Sequence, residues 1–202
     1  WTFAVEGVTS ISVDTHKYAY APKGTSLLLH RDAALRKPQF FASAAWPGYT
    51  MLNATTQSTR SGGPVAGTWA VVEHIADEGY LVLAERALAA VDAIVACIAR
   101  EPALRLVVPP DSTLVTLATD ASCDPFTLTD ELVARGWYVQ PQLSFGDDPP
   151  SIHLSVSAGT HPHVAELASA LTESVAAARA AGPVVVDPGV VAFIEALDPA
   201  TL

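Results

Sequence analysis

The helical spacing of apolar residues through the middle of the chain constrains its fold more than any other feature. Pro64 opens a helical stretch that runs through Ile75 and closes at Asp77-Glu78-Gly79; Leu81, Ala84, Leu88, Val91, Val95 and Ile98 then carry the period on to Arg100. A helix this long is expected to lead from one domain into a second. Ahead of it, residues 8–13 read as a β-rich run and 26–29 as a second short apolar strand, with a polar, lysine-bearing loop between them. Residues 37–63 mix Pro38, Pro47, Gly48, Gly62 and Gly63 with aromatic and hydroxyl residues, which predicts an ordered loop more than a regular element. Beyond the helix the pattern alternates: strands 104–108 and 114–117, helix 126–135, strands 137–139 and 152–156, helix 163–180. That is a small α+β layer, followed from residue 183 by a tail with one short helix. There are no repeats and no low-complexity tract.

Half of the residues are apolar, ample for a packed core at this length. A formal net charge of −10 with 11 Lys plus Arg lacks the basic footprint that nucleic acid or an anionic membrane surface requires. Cys97 and Cys123 are far apart with no CxxC pairing, so they suggest neither a disulfide framework nor a zinc site, and a reducing, cytoplasmic location is expected. The most apolar stretch, 80–98, carries Glu85, Arg86 and Asp92, which argues for a core helix and against a membrane span. The start at Trp1-Thr2-Phe3-Ala4-Val5, without Met or signal peptide, reads as a chain beginning inside a domain.

The chemistry concentrates in Asp14-Thr15-His16-Lys17-Tyr18 and the following Pro22-Lys23-Gly24. A lysine at the end of an apolar strand is expected to be buried, which lowers the ammonium pKa and leaves a nucleophilic amine. His16 beside it can stack or donate to a phosphate, and Lys23 adds a second cation. The bland reading, two solvated loop lysines, is the usual one for an isolated His-Lys pair.

The whole run resembles the lysine motif of sphingosine-1-phosphate lyase and the related group II decarboxylases, approximately V-T-S-I-S-x-D-x-H-K-Y-x-x-x-P-K-G. It matches at Val8, Thr9, Ser10, Ile11, Ser12, Asp14, His16, Lys17, Tyr18, Pro22, Lys23 and Gly24. A second segment, Thr59-Arg60-Ser61-Gly62-Gly63 with Gly67-Thr68-Trp69-Ala70, is similar to the family's S-R-P-G-G...G-x-W-A. Two departures bear on specificity: Tyr49 replaces a glycine and Met51 a tyrosine of the family's W-x-G-G-x-Y, and Thr59 and Ser61 stand for serine and proline.

The resemblance implies the fold-type-I architecture. Residues 1–103 would be the C-terminal part of the large α/β domain that binds pyridoxal 5'-phosphate, 104–182 the small α+β domain, and 183–202 the tail. It implies that Lys17 carries the cofactor as a Schiff base, that His16 lies against its phosphate, and that Thr59 reaches the cofactor phosphate of a partner subunit in a homodimer. Lys23 would meet an anionic end of a small-molecule amine substrate. The implied activity is carbon–carbon cleavage of a phosphorylated amino alcohol. The alternatives are amino-acid decarboxylation and, in another class, a non-catalytic dimerisation module. Asp14 reads as a residue that orients the loop. His153 on its alternating strand faces either a cleft or water. His161 and His163 around Pro162 read as helix initiation, with Thr160 as a cap, and no metal site is expected.

Overall fold

The computed structural model describes residues 2–55 and 59–197, and the chain divides between Tyr80 and Leu81 into two compact units. In the first, β1 (Ser10–Asp14) pairs antiparallel with β2 (Ser26–His30), so that Asp14 lies opposite Ser26. Leu27, Leu28 and Leu29 are consecutive and all exposed, at 45%, 53% and 42%. A strand apolar on both faces suits a sheet covered on both sides, as in α/β domains. Helix α1 (Ala33–Arg36) is capped by Asp32, whose carboxylate accepts the Leu35 N–H at 2.8 Å.

Residues 37–63, expected to be irregular, contain a hairpin of β3 (Phe41–Ser43) and β4 (Met51–Asn53). Strands of three residues are too short to show a period of two among the surrounding prolines and glycines. Helix α2 (Gly63–Ile98) follows, broken by non-helical Ala76 at φ 53° and ψ 179°. The interruption lies one residue before the Asp77-Glu78-Gly79 signal.

The second unit is an antiparallel sheet in the order β5-β6-β8-β7, with β5 (Leu104–Leu106), β6 (Leu114–Thr119), β7 (Gln140–Gln142) and β8 (Ser151–Ser155). Leu117 lies opposite Ile152, and Thr116 opposite His153, so successive side chains sort into an apolar and a polar face. The apolar face packs on the C-terminal half of α2, through Ala90, Val91, Ile94 and Ile98. It also packs on α3 (Pro125–Ala134) and α4 (Val164–Ala181), through Leu128, Leu132, Leu167, Leu171 and Val175. That shared core explains why contacts divide the chain at Tyr80 and Leu81, whereas the sequence suggested a boundary at 103 and 104.

Asp124 caps α3 by accepting the Thr127 N–H at 2.8 Å, ahead of Pro125. Leu128 is fully buried, and Leu128→Ala is expected to destabilise the fold by about 2–5 kcal/mol, read as a lowered urea midpoint. The strand expected at 137–139 lies instead at Gln140–Gln142 and contains Pro141. Proline is tolerated there because β7 is an edge strand. A 3₁₀ turn, Ala158–His163, precedes α4, with the Thr160 hydroxyl accepting the Ser157 N–H at 3.2 Å; His163 stands at the N-cap position of α4 without a capping side-chain bond. Helix α5 (Pro188–Glu195) lies in the tail.

Candidate active site

Residues 15–25 form the loop between β1 and β2, and backbone bonds wind it tightly. The Lys17 N–H donates to Asp14 O at 3.2 Å, the Tyr20 N–H to Lys17 O at 3.1 Å, and the Ala21 N–H to Thr15 O at 3.0 Å. Four contacts seat this loop on α2. The Thr15 hydroxyl, buried, donates to Thr25 O at 2.8 Å and lies 3.4 Å from the Thr68 hydroxyl. Tyr80 Oη donates to Ala19 O at 2.9 Å. Gly67 faces Pro22, and Gly24, at φ +108°, sits so close to Pro64 that an added Cβ would be 3.0 Å from its ring. Pro22, Gly24 and Gly67 thus lie where the two segments touch.

Lys17 departs from the sequence expectation of burial: its side chain is 64% exposed and its Nζ lies 3.3 Å from Asp14 Oδ2. The turn closed by the Lys17 N–H carries the side chain off the strand and over the carboxylate that ends it. Asp14 also accepts the Ser26 hydroxyl at 2.7 Å. That bond first, then Lys17, holds the Asp14 carboxyl below the usual aspartate range. Because the folded value is the depressed one, this contribution is complete above the ordinary aspartate value of about 3.9 and is lost as pH falls through the folded one. In an NMR titration of Asp14, Ser26→Ala is expected to raise the midpoint more than Lys17→Ala does; the opposite order contradicts this assignment. An ammonium paired with Asp14 is no nucleophile, so covalent chemistry at Lys17 requires the pair to open. Exposed pairs of this kind contribute little to stability and open readily.

His16 is half-buried, and its Nδ1 is enclosed without a hydrogen-bond partner among the described residues, as is Thr25 Oγ1. A buried polar atom left unpaired is destabilising, so these two mark where the loop has capacity for a ligand. Lys23 is exposed and makes no ion pair among the described residues. Thr59 is exposed just ahead of α2, where the Ser61 hydroxyl accepts the Gly63 N–H at 3.3 Å. No bond among the described residues joins Thr59 to the Lys17 loop. The structure therefore brings Lys17 together with Asp14 and leaves His16, Lys23 and Thr59 with unused bonding capacity.

Sequence reasoning missed Thr15, Thr25, Ser26, Thr68 and Tyr80. The available signal was the strand register, which sets Ser26 opposite Asp14. His153 is half-buried on the polar face, opposite Gln140 and Thr116, and lines a cavity of about 330 Å³ with Trp137, Tyr138 and Ser155. His163 lies 3.3 Å from Glu166 at the start of α4. No cluster of three potential metal ligands occurs among the described residues, and no described helix is long and apolar enough to cross a membrane.

These elements, a β-loop-β segment on a long helix leading into a four-stranded antiparallel sheet, are the C-terminal part of the fold-type-I architecture. The structure of sphingosine-1-phosphate lyase from Burkholderia pseudomallei superposes with a TM-score of 0.79 at 33% identity, covering 96% of this chain and 42% of that one. The Arabidopsis thaliana sphingosine-1-phosphate lyase is 36% identical over 183 residues, 90% of this chain and 33% of its own length. A probable L-tyrosine/L-aspartate decarboxylase of Methanothermobacter thermautotrophicus is 33% identical over 169 residues, 81% of this chain and 42% of its own length. No protein-family profile matches the chain. The chain belongs to the family that unites sphingosine-1-phosphate lyases with the group II decarboxylases, and it spans about a third of the length of the curated lyases it matches.

Proposed function

We propose that this chain is part of a pyridoxal 5'-phosphate-dependent carbon–carbon lyase resembling sphingosine-1-phosphate lyase, with Lys17 as the cofactor-bearing residue. The observation that carries this reading is the Lys17 loop, in which an accessible amine stands next to a histidine whose buried Nδ1 lacks a partner among the described residues. These groups fit an aldehyde bearing a phosphate: the amine for the carbonyl, the imidazole for an anionic oxygen. When bound, the cofactor supplies an electron sink for the pair left on the substrate Cα as a bond to it breaks.

His16 would hold the phosphate. Thr59 would reach the phosphate in the partner protomer, which makes the active protein a homodimer. Lys23 would bind the anionic end of a small-molecule amine. As a free amine, Lys17 would accept or return a proton at the substrate Cα, the general-acid-base role of a lysine freed from its ion pair. The two free, buried cysteines fit a cytoplasmic compartment.

Asp14 and Lys23 match the lyase form of the motif, so the bond broken would be Cα–Cβ of a phosphorylated amino alcohol. The 33% identity to the archaeal decarboxylase supports the second reading, loss of the α-carboxylate from an amino acid. Incubating the cofactor-loaded, full-length protein with each substrate class decides between them. Aldehyde and phosphoamine are expected; carbon dioxide from amino acids instead overturns the lyase reading, and neither product together with no cofactor uptake points to a non-catalytic interaction module.

A further inference from the structure

Tyr20 occupies a left-handed conformation, φ 55°, in which a side chain with a Cβ is strained. The peptide unit preceding it, Ala19–Tyr20, is gripped at both ends. Its N–H donates to Lys17 O at 3.1 Å, and its carbonyl accepts the Tyr80 hydroxyl at 2.9 Å across 61 residues of sequence. Tyr80 is the last residue of the first unit and lies four residues beyond the break at Ala76. Burial pushes its phenol up, so the hydroxyl remains a donor throughout the neutral range. Strain is retained where surrounding structure over-determines it, and the Tyr80 hydroxyl supplies a long-range side-chain bond to this turn.

We propose that Tyr80 is a positioning residue for Lys17: its hydroxyl fixes the Ala19–Tyr20 peptide, and through that peptide's bond to the Lys17 carbonyl it sets where the lysine side chain leaves the backbone. This rests on the reading of Lys17 as the cofactor-bearing residue. Among the described residues the Tyr80 hydroxyl bonds to Ala19 O, so its action on Lys17 runs through the turn. Without the hydroxyl, the Ala19 carbonyl loses its partner and the left-handed turn can relax, moving Lys17 by a rotation of one peptide.

The test uses Tyr80→Phe in the full-length protein, with two independent readouts. The first is hydrogen exchange of the peptide covering residues 17–21 without cofactor. Tyr80→Phe is expected to accelerate it about tenfold, the effect of one lost hydrogen bond, while exchange in β6 and α4 stays unchanged. The second is turnover with cofactor: kcat is expected to fall roughly five- to tenfold with KM changed less than about twofold, because the loss is one of lysine placement and not of substrate binding.

Tyr20→Gly supplies the rescue. Glycine adopts φ 55° without strain, so adding it to Tyr80→Phe is expected to restore most of kcat, although it removes a side chain. Unchanged exchange at residues 17–21 overturns the proposal. Faster exchange with unchanged kcat also overturns it, since the hydroxyl would then be structural only, and so does a kcat loss that Tyr20→Gly leaves in place. Failure of the cofactor to attach to Lys17 in the wild-type protein is a separate result: it defeats the proposed function, whereas the exchange comparison still judges the turn.

Discussion

Lys17→Ala is expected to lower kcat by roughly 10²–10⁴-fold or more, the range for removing a group that transfers a proton in the transition state. Loss of the covalent attachment point compounds the effect. The fold should tolerate the change. Lys17 is exposed, and its one ion pair is with a carboxylate that keeps the Ser26 hydroxyl as a partner, so the variant should unfold within about 1 kcal/mol of the parent. Lys17→Arg is expected to be as inactive as Lys17→Ala. It retains a cation for Asp14, but a guanidinium does not deprotonate near neutral pH. Comparing the two separates the charge of the residue, which arginine keeps, from the free amine, which it lacks. Appreciable turnover in both variants would remove Lys17 from the chemistry.

Gly24→Ala is the substitution expected to damage the fold of the loop most. Two effects add. A backbone at φ +108° lies outside what an alanine readily adopts, at about 1–3 kcal/mol, and the new Cβ would stand 3.0 Å and 3.2 Å from two ring carbons of Pro64. A proline ring at the start of a helix has little freedom to yield, so relief must come from the loop, at a further cost of about 1–3 kcal/mol. The shift would carry Thr25 with it. Its carbonyl is the acceptor of the Thr15 hydroxyl, and the seat of the loop on α2 would loosen. The measured outcome should be a lowered thermal midpoint together with weakened cofactor retention. Gly159→Ala is the control: its φ is ordinary and its nearest neighbour, the Ser157 hydroxyl, is 3.5 Å away, so stability should change by less than about 1 kcal/mol.

Much of this arrangement was legible in the sequence because it depends on short-range pattern. The run to Gly24 placed a lysine in a loop between two strands, and the paired strands Ser10–Asp14 and Ser26–His30 bear that out. The apolar spacing from Leu81 to Ile98 identified a helix, and Val91 and Ile98 of that set join the core of the second unit, whereas Leu81 and Leu88 are exposed. What escaped was set by turn geometry or by long-range contact. The exposure of Lys17 follows from the four-residue turn 14–17, in which a change of one peptide exchanges inside for outside. Strand β7 was misplaced toward Trp137 because a proline argues against a strand unless that strand is at an edge, and edge position is a property of the sheet order. The bond from Tyr80 to Ala19 joins residues 61 apart, a separation that local periodicity does not register. Thr15 and Thr68 met for the same reason, through packing of a loop on a helix.

The most direct measurement is borohydride reduction of the full-length protein loaded with pyridoxal phosphate, followed by peptide mapping. A visible band near ~420 nm should vanish on reduction, as expected of a cofactor bound to an amine, and the label should map to Lys17 alone. Label on Lys23, or no band and no label with cofactor in excess, would contradict the assignment of Lys17.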